Sequence, residues 1–150
     1  MAHPTDMNPQ NGQSLQRFID AQESSYATAL SEIKSGRKKS HWMWYIFPQI
    51  QGLGSSDMAR YYAIAGMGEA TRFLQHPVLG KRLTEISTVL LGLATDNASE
   101  IFGYPDDLKL KSSLTLFAAV PAADPVFQKL LGKFFGGKQD ETTLAIIRSK

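Results

Sequence analysis

Leu15, Phe18, Ile19, Gln22, Tyr26, Ala29, Leu30 and Ile33 recur at three- and four-residue steps, the spacing of one face of an amphipathic helix. A period held over about five turns commits the stretch to a helix that must lay this face against other elements. Ser14 stands where it can cap the start, and Gly36 with Lys34 and Arg37 marks the end.

The same period returns along the chain. Leu79, Leu83, Ile86, Leu90 and Leu93 continue it after His76-Pro77, with proline at a favoured first helical position. Ser55 or Ser56 can cap a helix carrying Met58, Tyr61 and Tyr62; Gly66 and Gly68 punctuate it before Ala70, Phe73 and Leu74. Asn97 to Phe102 reads as a helical turn stopped by Gly103. Pro105-Asp106-Asp107 opens a helix with the stripe Leu110, Leu114 and Phe117, its carboxylates near the positive end of the dipole. Asp124-Pro125 opens another, with Val126, Phe127, Leu130, Leu131 and Phe134 facing inwards and Gly136-Gly137 ending it. Asp140 to Ile147 reads as a terminal helix. No alternating apolar pattern flanks an Asn-Gly or Asp-Gly pair, so no hairpin is indicated. The expectation is an all-α, single-domain multihelical bundle with short, irregular helices. Residues 1–13 are polar and aperiodic and read as a flexible N-terminal arm; 14–150 form one domain of ordinary length.

One segment breaks the pattern. From Trp42 to Pro48 every residue is apolar, aromatic or proline. Periodicity alone does not separate a buried strand from a buried helical turn here. Pro48 stops a helix or confines a strand to an edge. With helices on both sides, a short buried helix followed by a loop is the reading adopted.

Several function classes drop out. The chain has no cysteine, which removes disulfides, thiol nucleophiles and thiolate metal sites and suits a reducing compartment. The start lacks a charged and an apolar region of a secretory signal, and no apolar run approaches the ~18–20 residues of a bilayer span. A cytoplasmic, non-membrane protein is expected. A net charge of +2 with no basic stripe weighs against nucleic acid as a partner. The one cluster, Arg37-Lys38-Lys39, reads as a solvated helix end whose cations complement the dipole. Histidines stand only at 3, 41 and 76 without ligand spacing, so neither a metal nor a cofactor is expected. Gly132 to Gln139 approaches a phosphate-binding loop, but it follows a helix, holds two phenylalanines and ends in glutamine where a hydroxyl is needed. A helix C-cap accounts for it better.

Two clusters carry candidate chemistry. His41 and Gln49 flank Trp42, Trp44, Tyr45 and Phe47. Either the polar groups satisfy backbone where Ile50 to Gly54 crosses the bundle, or the rings wall a pocket in which a flat ligand stacks and polar tips orient it. Asp106, Asp107, Lys109, Lys111, Ser112 and Ser113 form the second cluster. It is either a capped helix start with solvated charges or a place where a lysine meets a ligand anion and an aspartate acts as base or sugar contact. Lys109 and Lys111 are two apart and do not share a helix face, so at most one points to a pocket.

Leu15 to Gln22, Ser40 to Gln49 and Phe102 to Ser113 resemble the three signatures of the domain-of-unknown-function family 1810, over about residues 14 to 147. The resemblance implies a small bacterial all-α protein and supplies no mechanism. Members sometimes carry a calpastatin-like label, but no residue here supports a protease-inhibitor role. The Phe18-x-x-Ala21-Gln22 element also resembles, more distantly, a helical family acting on N-glycosidic bonds and ADP-ribose-type ligands. The functional expectation is a protein that binds or acts on a nucleotide-like or N-glycosidic small molecule, with His41, Trp44, Gln49, Asp107 and Lys109 nearest the site. The alternative is a non-catalytic interaction module. A monomer or a small homo-oligomer fits either.

Overall fold

Along the described residues nine α-helices follow one another: α1 (Gln13–Lys34), α2 (Met43–Ile46), α3 (Asp57–Tyr61), α4 (Met67–Gln75), α5 (Leu79–Leu91), α6 (Ala98–Phe102), α7 (Asp106–Ala118), α8 (Val126–Phe135) and α9 (Glu141–Ser149). The structure is a computed structural model that describes residues 13–149. The expected arm lies outside the described residues except for Gln13, which opens α1. Ser14 is therefore inside that helix rather than ahead of it. Among the described residues the only strand-like pairing is an isolated parallel bridge between Ile50 and Ile64.

The predicted inward faces are largely the buried ones. Leu15, Phe18, Ala29 and Ile33 of α1, Leu79, Leu83, Ile86 and Leu90 of α5, and Val126, Phe127, Leu130 and Leu131 of α8 join one core. A line of rings runs through it. Phe18 meets Phe73 edge-on at 5.1 Å, Phe73 lies 5.3 Å from Phe117, and Phe117 lies 6.0 Å from Phe127, tying α1, α4, α7 and α8 together with offset geometry that aromatic pairs favour. Helix α7 is the central element, packing on α4, α6, α8 and α9. It shows more than a stripe: Leu110 and all of Ser112 to Phe117 are buried. Two of its hydroxyls bond back to the helix, Thr115 Oγ1 to the Lys111 carbonyl at 2.8 Å and Ser112 Oγ to that of Leu108 at 3.2 Å, whereas the buried Ser113 Oγ has no partner among the described residues.

Helix boundaries follow cap chemistry. Ser56 accepts from the Ala59 N–H, Asn97 caps α6, and Gly103 ends it at φ 74. The glycine-rich segment after α8 is a C-cap, with Gly136 left-handed at φ 62. Three expectations are corrected. Helix α5 begins at Leu79, later than Pro77: His76 ends α4, and its Nδ1 accepts the N–H groups of Val78 and Leu79 at 3.1 and 3.2 Å. The imidazole supplies the cap that places the start. Gly68 lies inside α4, and Gly66 is the residue that precedes its first turn. Met58 and Tyr61 of α3 are exposed, because a helix of five residues has too few turns to bury a full stripe.

The link between α3 and α4 is held by a buried ion pair. Arg17 donates to Glu69 at 3.2 Å and to the carbonyls of Tyr61 and Ala63, each at 2.7 Å. Glu69 in turn accepts the Ala65 N–H at 2.8 Å. Two side chains thus satisfy the backbone of a segment that has no ladder of its own.

A candidate ligand-binding cleft

Helix α2 is a single turn, as expected, and its shortness decides the site. Trp42 stands just ahead of the turn and Trp44 within it, and the two side chains go to different places. Trp42 goes into the core, where it meets Phe102 edge-on at 6.3 Å and Phe47 at 6.4 Å. Its indole N–H donates to Glu32 at 2.9 Å. Glu32 also accepts the N–H groups of Lys39 and Ser40 and the Ser40 hydroxyl. Burial pushes the Glu32 carboxyl upward, but these donors outweigh it and hold its pKa down to about 2. Gln22, buried in α1, donates to the Tyr45 carbonyl at 2.8 Å and fixes the other side of the turn.

Trp44 is only partly buried and lines a cleft of about 530 Å³. Three stretches far apart in sequence build it: Trp44 and Gln49 with the loop to Ser56, Pro105 to Ser112 around the start of α7, and Asp140 with Thr142 at the start of α9. The Lys109 ammonium lies 5.1 Å from the centre of the Trp44 ring, within cation–π range. Lys109 and Lys38 take the two oxygens of Asp106, at 3.3 and 2.8 Å. Two ammonium groups on one carboxylate leave this edge of the cleft cationic.

That arrangement corrects the reading of Arg37-Lys38-Lys39 as a solvated end. The Lys38 side chain is only 7% exposed. It donates to the Ser40 carbonyl at 2.6 Å and sits 5.1 Å from the Trp42 ring.

Of the five residues expected at the site, Trp44, Gln49 and Lys109 come together in the cleft. His41 does not; it borders a separate hollow of about 150 Å³ beside Ser24, Ser25 and Thr28. Asp107 does not either. Its carboxylate accepts the Ser99 hydroxyl at 2.7 Å and the Leu108 N–H at 2.9 Å, joining α6 to the start of α7. Lys111 turns to the Phe135 ring at 5.9 Å, so Lys109 alone of the pair faces the cleft. Among the described residues the Gln49 side-chain amide has no protein partner, and neither does the Trp44 indole N–H.

Ser112, a member of the second sequence cluster, and Asp140, which belonged to neither cluster, line the same cleft as Lys109. Asp140 Oδ2 accepts the Thr143 hydroxyl at 2.6 Å, the Thr143 N–H at 3.0 Å and the Ser112 hydroxyl at 3.3 Å. The sequence held half a signal: Ser112 is three residues after Lys109 and shares its face, whereas Asp140 reads only as the start of a terminal helix. No group of three or more metal-ligating side chains forms among the described residues, and no helix there is long and apolar enough to cross a membrane.

Comparison with known proteins adds a family and a fold. The crystal structure of the conserved hypothetical protein Rv1873 from Mycobacterium tuberculosis superposes with a TM-score of 0.87 at 46% identity, covering 89% of this chain and 96% of that one. No curated protein matches. The family model described as "Protein of unknown function (DUF1810)" matches residues 12–147. With that match over nearly its whole length, the chain belongs to the DUF1810 family.

Proposed function

We propose that this protein is a cytoplasmic, bacterial small-molecule-binding protein whose ligand is nucleotide-like and occupies the cleft between α2, α7 and α9. The observation that carries the reading is the division of labour between the two tryptophans. Trp42 has all that a buried indole needs, a packed ring and a partner for its N–H. Trp44 stands at the cleft with its N–H unpaired and a lysine ammonium against its ring. Core packing does not call for that second arrangement. A concave site of a few hundred cubic ångströms, walled by an aromatic ring and a few convergent polar groups, is the usual form of a small-molecule site. The cationic edge at Lys109 selects a ligand with an anionic group, and the free Gln49 amide offers both a donor and an acceptor to a base or sugar.

A second reading, a non-catalytic interaction module, is favoured by Tyr104, 80% exposed, and Leu108, 48% exposed, which place apolar surface beside Pro105 at the cleft.

A thermal-shift screen against nucleotides, nucleosides, NAD, ADP-ribose and sugar phosphates separates the two. A ligand at about 100 times its dissociation constant adds about 2.7 kcal/mol of stability. The expected result is a shift with an anionic, ring-bearing compound that disappears in folded Trp44→Ala and Lys109→Met variants. A panel without any shift, or a shift that both variants retain, overturns the cleft reading.

A further inference from the structure

We infer that Asp140 is the hydroxyl-recognition group of the cleft, and that the ligand is a phosphate or similar anion carried on a sugar with free hydroxyls; the inference rests on the binding role proposed above. Asp140 is fixed more firmly than a helix cap requires. Its N–H donates to the buried Thr115 hydroxyl at 2.9 Å, which anchors its backbone to the central helix. One carboxylate oxygen, Oδ2, takes two donors from Thr143 and shares the single Ser112 hydroxyl proton with the Leu108 carbonyl. The other, Oδ1, accepts from no protein group among the described residues and is not sealed from solvent. A carboxylate pinned through one oxygen and open at the other is a preorganised acceptor that needs no rearrangement to take an O–H or N–H from a ligand.

The two ends of the cleft then ask for different things. Lys109 is a donor without acceptor capacity, whereas an ionised Asp140 accepts only. Ser112 bonds Asp140 and lies one turn along α7 from Lys109, so the cation and the carboxylate line the same cleft without pairing with each other. A molecule that spans it presents an anion at one end and hydroxyl donors at the other. A nucleoside lacks the anion, and inorganic phosphate holds its P–OH donors on the same small group as its charge; a ribonucleotide or sugar phosphate carries the anion and separate hydroxyl donors. Ser55, Ser56 and Thr142 add hydroxyls that donate or accept along the same wall.

The test uses matched probes, so that it does not depend on one variant. Binding of adenosine monophosphate and of its dideoxy analogue, without either ribose hydroxyl, is measured by titration calorimetry on the wild-type chain and on Asp140→Asn. The asparagine retains a carbonyl oxygen for the α9 cap, and a melting curve checks that the variant is folded. The expected result is that the wild type binds the ribonucleotide about tenfold or more tightly than the dideoxy compound, as befits a hydrogen bond to a charged group. The gap should close in Asp140→Asn. Equal binding of the two compounds by the wild type, or a gap that Asp140→Asn leaves intact, overturns the role of Asp140 while leaving the cleft reading standing. Binding of neither compound overturns the inference, and the cleft reading falls with it when the wider panel also gives no shift.

Discussion

The indole N–H of Trp42 donates to Glu32 at 2.9 Å, and that contact orients the whole Trp42–Phe47 turn. Glu32 sits near the C-terminal end of α1 and gathers the backbone of Lys39 and Ser40 as well. The chain leaving the longest helix is thereby folded back so that Trp42 enters the core. Because the turn that follows is so short, driving Trp42 inward drives Trp44 out to the cleft.

The two tryptophans should therefore respond differently to removal. Trp42→Ala empties a fully buried site and is expected to cost about 3–5 kcal/mol. Trp44→Ala should cost less than about 2 kcal/mol and leave cooperative unfolding intact, while removing any ligand-induced shift. Urea titrations of the two variants measure the difference, and equal destabilisation would contradict the division of roles.

Glu32 links the turn to pH. Its carboxyl is held at about 2, against an ordinary value of 4.5. A folded-state pKa below the unfolded one contributes stability that is complete above pH 4.5 and is lost as pH falls from there towards about 2. Glu32→Gln should lower stability at neutral pH by about 1–3 kcal/mol, and its deficit relative to the wild type should shrink across that acid window. Melting temperatures of both proteins from pH 7 down to pH 2 check the sign.

A different kind of constraint acts at Gly80. A Cβ there would lie 2.0 Å from the Leu74 carbonyl oxygen, so the start of α5 passes too close to the end of α4 for any side chain. Gly80→Ala is expected to destabilise by about 2 kcal/mol or more through forced backbone movement. Gly132, inside α8 with nothing within 4 Å of its would-be Cβ, is the control: Gly132→Ala should stabilise by about 0.5–1 kcal/mol. Thermal melts of the pair test whether close approach or helix propensity decides each position.

The Arg17–Glu69 pair predicts a large effect at a position that looks ordinary in sequence. Glu69 is 1% exposed, and Glu69→Ala leaves the Arg17 guanidinium buried without its counter-charge, a loss of about 3–5 kcal/mol. Hydrogen exchange should quicken first at the amides of Ala65 and Ile64, which lie in the segment this pair supports.

What the sequence determined by itself is the helical architecture: the inward faces of α1, α5 and α8, and the stops at Gly103 and Gly136. These were legible because a 3.6-residue period and cap chemistry are local, written within a few positions of where they act. The same locality explains where the reading stopped. His41 and Asp107 look as eligible in sequence as Gln49 and Lys109, yet they face a separate hollow and the α6–α7 junction. Asp140 and Ser112 are separated by twenty-seven intervening residues, and nothing local pairs them. Lys38, apparently a solvated cation, is drawn inward by Asp106 on a helix more than sixty residues away. Tertiary structure alone decided these placements, because a cleft is made where the ends of three helices meet. The relative rotation of those helices is set by how their buried faces pack, not by the order of the residues along any one of them.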